Sequence, residues 1–558
     1  MIVSSRCLTV LVVTLILNAS CQSKSYPNRW VYVSRWLAKD GDVEDIRRIV
    51  RVASEHGLNG MVLAGPHDRM SMNRPEYFER LQRVKDICAG NDIEIIPSIF
   101  SIGYGWSFLQ HDRNLAAGIS VVDAPYVVRN GVARLSPEAA VSIANGGFEQ
   151  VRGLDFVGYK FHDKPGAVSF QDRTIAHSGQ ASIRFENFER YPHGHARVLQ
   201  EVEVRPHRCY RLSCWVKTDG LEPASSLRML VLGRDGRNVA PWNAKVPATA
   251  DWQRIVMGFN SLDYDVVRIY AGVWGGKSGR FWIDDLQLEE IGLLNVLRRP
   301  GTPVTVRSVS TGRVYEEGQD YARIGDRKLD FRFERESPGI RIRPSGRIAD
   351  GDQLRVSYYH GMAINNGQVS VCMSEPKIYE IMLEEARLIH KHLAPKKYML
   401  SMDEIRAGGA CEACKRRHKT MGEILGYCIT KQVEIIQSVN PEAQIFIWSD
   451  MLDPHHNAHD DYFLVDGDFA GSWRHVPKDL GIVCWYYKIR EQSLEFFSSH
   501  GFRTVAGAYY DGDTLENPRG WLQALEQTPN AIGIMYTTWQ NKYDLLDEFG
   551  DLVTNYTE

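Results

Sequence analysis

The stretch from Tyr398 to Arg406 reads YMLSMDEIR: an apolar run closes on two adjacent carboxylates, Asp403 and Glu404, with Arg406 two residues further on. A carboxylic acid beside a carboxylate is equipment for general acid–base work, in which one group passes a proton while its neighbour holds or offsets charge. The dipeptide alone is ambiguous, because Asp547 and Glu548 repeat it inside a stretch of helical spacing. Its meaning depends on what stands beside it. Other residues with chemistry close apolar runs in the same way: Arg35 and Trp36, His67 and Asp68, Tyr104 and Trp106, Trp448 and Asp450, Trp485 and Tyr487, Tyr509 with Tyr510 and Asp511, and Trp539 with Asn541. Together they describe a cup with aromatic walls, a few carboxylates and an arginine. Aromatic faces stack on the apolar face of a pyranose, and carboxylates and arginine hydrogen-bond its hydroxyls. For any single tryptophan, ordinary core packing is the competing reading.

A cup needs elements that bring these run ends to one place. From Trp30 the pattern alternates short apolar strands with amphipathic helices: WVYVSRWL, then VEDIRRIVRVASEHG, LNGMVLAG, PEYFERLQRVKDICAGND and IEIIPSIF. Such alternation means right-handed strand–helix–strand units and a parallel sheet. From about Leu135 to about His360 the helical period disappears. Strand-length segments of period two, separated by Gly, Pro, Asn and Asp, predict a β-sandwich followed by a smaller β unit. From about Pro376 the alternation resumes and contributes five more strands. Three strands before the insertion and five after it make eight, the number that closes a (β/α)8 TIM barrel, whose catalytic residues stand at the C-terminal strand ends. The expected fold is α/β, a TIM barrel interrupted between strands 3 and 4 by an all-β sandwich. The expected division is 1–21 signal, 22–135 first barrel part, 136–295 sandwich, 296–365 small β unit and 366–558 second barrel part. An open doubly wound sheet is the rival topology; the absence of a Gly-rich dinucleotide fingerprint favours the barrel.

Composition narrows the function classes. The 558 residues exceed one ordinary core, so two or three domains are expected. With 44% apolar, 10% aromatic and 24% charged residues the chain reads as globular rather than disordered. A net charge of −3 with both signs well mixed excludes a basic nucleic-acid surface and an acidic tail. At the N-terminus, Arg6 precedes LTVLVVTLIL and then NASC, a pattern similar to a bacterial lipoprotein signal with Cys21 as the lipidated first residue. Plain secretion is the alternative. The expected location is outside the cytoplasm, in the cell envelope or secreted, with membrane contact only through a lipid anchor. The sequence does not specify an oligomeric state.

YMLSMDE at strand 4, a Trp ending strand 5, a Trp in strand 6, YYD ending strand 7 and TTW ending strand 8 resemble the family 20 glycoside hydrolases, the β-N-acetylhexosaminidases. The resemblance covers the barrel, roughly half of the chain. It implies an exo-acting retaining hydrolase that removes a terminal β-linked N-acetylhexosamine from a glycan. Catalysis would be substrate-assisted: the 2-acetamido oxygen attacks C1, so no enzymic nucleophile is required. Glu404 would be the acid/base, with a raised pKa, and Asp403 would orient the acetamido group and offset the oxazolinium charge. Tyr509 would hydrogen-bond the acetamido oxygen. Trp448, Trp485 and Trp539 would wall the pocket, and Arg35, Asp450 and Asp511 would complete the substrate-binding set. The chain departs from the family pattern at Leu400, Ser401 and Met402, where His-x-Gly-Gly is usual before the acid pair, and at Asn541, where an acidic residue is common. NGGFEQV, AHSGQASIRF and FWIDDLQLEE are similar to family 4/9-type carbohydrate-binding sandwiches, some of which hold a structural calcium. No other cofactor is implied.

Two rival functions stay open. One is a glycosidase for sugars without an acetamido group, using Glu404 with Asp450 or Asp511 directly. The other is a surface glycan-binding lipoprotein whose barrel is not catalytic. CEACKRRH supplies Cys411, Cys414 and His418, and Cys428 follows, but no second Cys-x-x-Cys completes a zinc pattern. The expectation there is no metal, with a local disulfide or buried thiols instead. His455, His456 and His459 read as a polar loop rather than a metal site.

Overall fold

The computed structural model describes residues 26–138, 140–365 and 367–556. The proposed signal segment and Cys21 lie outside the described residues. No described helix is long and apolar enough to cross a membrane.

Eight parallel strands close a barrel in chain order: β1 Asn28–Ser34, β2 Gly60–Ala64, β3 Glu94–Ile99, β4 Lys397–Leu400, β5 Gln444–Trp448, β6 Gly481–Cys484, β7 Arg503–Tyr509 and β8 Ala531–Thr537. Closure is made by β1 pairing with β8, Trp30 opposite Met535. Amphipathic helices pack outside, among them α1 Asp40–Glu55, α2 Pro75–Ala89, α3 Pro376–Leu393, α4 Met421–Val439, α5 Arg490–Ser499, α6 Glu516–Glu526 and α7 Leu546–Thr554. Alternation along the strands sorts side chains into two cores. Trp30, Val62, Ile96, Met399, Phe446, Trp448, Val483, Val505 and Met535 fill the barrel interior. Their neighbours in sequence, such as Val31, Met61, Leu400, Ile447, Ala506 and Ile534, join the helix faces in an outer layer.

The β insertion is nested. After β3 the chain forms Ile119–Arg129 and Val132–Leu135 and then enters two five-stranded sheets. It returns to add Thr305–Ser308, Val314–Tyr315, Ile340–Arg341 and Gln353–His360 to the sheet it left. Gln353–His360 pairs antiparallel with Ile119–Arg129, Leu354 opposite Tyr126. The 22–135 segment therefore does not end as barrel: its last strands belong to the same six-stranded sheet as the 296–365 unit. Short-range periodicity had no means of detecting this, because the pairing joins segments more than 200 residues apart. The sandwich also touches the barrel. Arg237 donates to the carbonyls of Phe463 and Val465 in the loop after β5, both at 2.6 Å.

Candidate active site at the barrel mouth

A cavity of about 580 Å3 opens at the C-terminal ends of the barrel strands. Its wall includes Trp36 after β1, Asp68 after β2, Tyr104 after β3, Asp403, Glu404 and Arg406 after β4, Trp448 of β5, Trp485 after β6, Tyr510 after β7 and Trp539 after β8. Asn365 of the returning β segment closes one side.

Asp403 continues the inward alternation of Met399 and Ser401. Glu404 has the opposite parity and would point outward in a regular strand. Its φ of +47° lies in the left-handed region, which a residue with a Cβ enters only at a cost, and this turn brings both carboxylates to one cavity. The turn is bolted from several sides. Asp450, fully buried, accepts from the Glu404 N–H at 2.8 Å and from Asn457 Nδ2 at 2.9 Å. Gln368 Nε2 donates to the Glu404 carbonyl at 2.6 Å, and Gln368 Oε1 accepts from Arg406. Gly103 lies so close that a Cβ there would stand 1.9 Å from the Asp403 carbonyl oxygen, so the β3 loop must carry glycine at this point.

Both Glu404 oxygens are engaged. Arg406 Nη2 stands 2.8 Å from Oε1, and the Tyr104 hydroxyl donates to Oε2. Ser401 Oγ donates to Asp403 Oδ1 at 3.1 Å. Burial, reinforced by the neighbouring Glu404 charge, raises the Asp403 carboxyl to about 6. Burial and the Asp403 charge raise Asp450 to about 7. Asp68 also rises to about 7, through burial, against the N–H groups of Phe100 and Ser101 that its oxygens accept at 2.5 and 2.9 Å. Among the described residues, the buried Arg406 is the one cation on this wall.

The opposite wall is aromatic. Trp448, 3% exposed, forms the floor, and Trp539, 43% exposed, stands at the rim with ring centroids 5.8 Å apart. Tyr510 lies parallel to Trp485, 6.1 Å away and 3° from coplanar orientation, and meets Trp539 edge-on at 6.1 Å.

Asp403, Glu404, Trp448, Trp485 and Trp539 thus share the cavity, and four other sequence-derived residues stand elsewhere. Tyr509 is buried outside the barrel interior with its ring stacked on Tyr536 at 4.0 Å, and Tyr510 takes the cavity position. Arg35 faces a second cavity of about 320 Å3, with Asp45 at 3.5 Å and Asn541 as hydrogen-bond partner. Asp511 accepts from the N–H of Trp539 at 2.9 Å and from the Thr538 hydroxyl, so it holds the loop after β8 rather than lining the cavity. Asp450 lies beneath the wall, as described. Trp36, Asp68, Tyr104, Arg406 and Tyr510 also line the cavity; their place at strand ends is the sequence signal for them, and the family resemblance assigns them no role. Gln368 and Asn365 carried no sequence signal, because they reach the mouth only through the folded insertion. His456 stacks on Tyr486 at 4.8 Å, and the histidine loop contributes no cluster of ligand atoms among the described residues.

Neither a family model nor a curated protein matches the sequence. Among solved structures, the chain is similar to a chitobiase from Flavobacterium johnsoniae with a TM-score of 0.35 and 8% identity, over 95% of this chain and 48% of that one. It is similar to a rhamnosidase from Novosphingobium sp. PP1Y with a TM-score of 0.31 and 8% identity, over 92% of this chain and 55% of that one. It therefore spans about half the length of these two proteins. Part of the chain, 26%, is similar to 95% of TmCBM61 in complex with beta-1,4-galactotriose, with a TM-score of 0.21 and 20% identity.

Proposed function

We propose that the protein is a glycoside hydrolase that removes a terminal β-linked N-acetylhexosamine from a glycan by substrate-assisted catalysis. The observation that carries this reading is the left-handed turn at Glu404, which sets two successive carboxylates on one wall of an aromatic-lined cavity. The cavity volume suits a small ligand such as one or two sugar rings. In the proposed reaction the acetamido oxygen attacks C1 while Glu404 protonates the departing glycosidic oxygen. Asp403, as a carboxylate, accepts from the acetamido N–H and offsets the oxazolinium charge. Water then opens the oxazolinium, with Glu404 taking its proton, so the anomeric configuration is retained. Trp448, Trp485, Tyr510 and Trp539 supply stacking and enclosure.

A direct two-carboxylate mechanism needs a second carboxylate about 5–5.5 Å from the acid and facing the sugar. Asp450 is fully buried and Asp511 is occupied by the β8 loop, so neither candidate meets the cavity. Asp68 reaches the wall, but its oxygens are committed to the Phe100 and Ser101 amides. This favours the substrate as its own nucleophile.

The test is hydrolysis of chromogenic β-N-acetylglucosaminide and β-N-acetylgalactosaminide beside the plain β-glucoside and β-galactoside, by wild type and Glu404→Gln. Turnover confined to the acetamido sugars and lost in the variant is the expected result. Turnover of the plain sugars would move the nucleophile to an enzymic carboxylate. No turnover of synthetic or extended glycans, with binding retained, would make this a glycan-binding protein.

A further inference from the structure

Cys372, Cys411 and Cys414 come together although 39 residues separate the first two. Cys372 belongs to the segment that returns from the β insertion into α3; Cys411 caps the N-terminus of the short helix Glu412–Lys415 after β4, and Cys414 lies within it. All three are buried and free. Their sulfurs form a nearly equilateral triangle: 3.6 Å from Cys372 to Cys411, 3.8 Å from Cys372 to Cys414 and 3.7 Å from Cys411 to Cys414. A tetrahedral zinc with Zn–S bonds of about 2.3 Å holds its sulfurs about 3.8 Å apart. A disulfide pulls one pair to about 2.0 Å and leaves the third thiol over, whereas this triangle favours no pair.

We propose that Cys372, Cys411 and Cys414 bind a thiophilic divalent cation, zinc, as three thiolates of a tetrahedral site. Among the described residues no fourth His, Cys, Asp or Glu offers a ligand atom within 4.8 Å of all three sulfurs, so the fourth position goes to a small ligand such as water. The surroundings suit the charge that results. Zinc with three thiolates carries one net negative charge, and the buried Arg299 donates from Nη2 to Cys411 Sγ at 3.5 Å. Arg299 is itself held by Glu375 at 2.8 Å and by the Asn114 carbonyl at 2.9 Å, the kind of outer contact that orients metal ligands.

The site lies outside the cavity but on the elements that shape it. Gln368, four residues before Cys372, carries the bonds to the Glu404 carbonyl and to Arg406. Cys372 N–H also donates to the Leu115 carbonyl at 2.8 Å, and Val371 N–H to the Ile102 carbonyl at 2.9 Å. A metal here pins the returning segment to the loop after β4, and through it the turn that carries the acid pair. The sequence shows only Cys-x-x-Cys; the third ligand enters from the far side of the insertion.

The experiment is metal analysis of the purified full chain, with cobalt reconstitution of chelator-treated protein and a peptide map of the unreduced protein. About one zinc per chain, lost in Cys372→Ser and in Cys414→Ser, is expected. Cobalt is expected to give a sulfur-to-metal charge-transfer band with tetrahedral ligand-field bands, a readout on wild type that stands even if the variants fail to fold. Chelation is expected to expose all three thiols to alkylation. A Cys411–Cys414 disulfide in the map, zinc at background level, or cobalt without a thiolate band would each overturn the proposal. None of these readouts depends on the substrate.

Discussion

The ends of β4 and β7 use the same backbone device to different effect. At β4 one residue, Glu404, is left-handed, and both members of the Asp403–Glu404 pair reach the cavity. At β7 three successive residues, Tyr509, Tyr510 and Asp511, are left-handed with φ of +78°, +58° and +59°. There only the middle residue reaches the cavity, while Tyr509 is turned back onto Tyr536 and Asp511 is committed to the β8 loop. A single inversion adds a side chain to the inward set; a run of inversions exchanges one side chain for another. The first end concentrates carboxylates in a buried setting, and the second builds an aromatic wall.

The comparison is sharpest where chemistry depends on it. Glu404→Gln keeps the shape of the turn but removes the proton donor, so kcat is expected to fall by about 10²–10⁴-fold with little change in Tm. At β7, Tyr509→Ala is expected to cost about 3–5 kcal/mol in urea unfolding, as truncation of a buried aromatic does. Tyr510→Ala is expected to leave stability nearly unchanged and to raise KM about tenfold, about 1.4 kcal/mol of lost binding. Reversal of those two outcomes would mean that Tyr509 is the substrate-facing ring.

Support beneath the acid pair gives the next effect. Asp450→Leu strands the Glu404 N–H and the Asn457 amide, at an expected cost of about 1–3 kcal/mol, with kcat reduced more than KM is raised. Asp450 also carries a pH signature. Its folded value of about 7 stands above the ordinary 3.8, so the folded state binds the extra proton between these values. Its contribution is therefore fully present below about pH 4 and is lost as pH rises through about 7. Asp450→Asn is expected to remove that decline, read as a smaller fall in Tm between pH 4 and 7 than in wild type. Asp403 should show itself in rate. With its carboxyl raised to about 6, kcat/KM on an acetamido substrate is expected to fall about tenfold per pH unit below that point. Asp403→Asn is expected to abolish this limb along with most of the activity. The smallest effect is expected for Arg35→Ala, within about twofold of wild-type kcat/KM, because Arg35 faces the second cavity.

Much of the mouth was legible from period-two alternation. Starting from the interior residues Trp30, Val62, Ile96, Phe446, Val483 and Met535, steps of two reach Trp36, Ala64, Ser98, Trp448, Trp485 and Trp539, all on the cavity wall. By the same parity Arg35 falls outside the inward set, and it lines the second cavity. At β7 the same rule counts from Val505 to Tyr509 and fails, because the chain is left-handed there without a glycine or asparagine to announce it.

By itself the sequence determined the strand–helix rhythm, the eight strands, the place of the β insertion and the adjacency of Asp403 and Glu404. These are local properties, written in hydrophobic period and turn residues. Tertiary structure alone decided the rest: the nested pairing of Ile119–Arg129 with Gln353–His360, the seat of Asp450 beneath Glu404, the bond from Gln368 and the meeting of Cys372 with Cys411 and Cys414. Each of these joins residues distant in the chain, and no local period records which distant partner supplies a hydrogen bond or a sulfur.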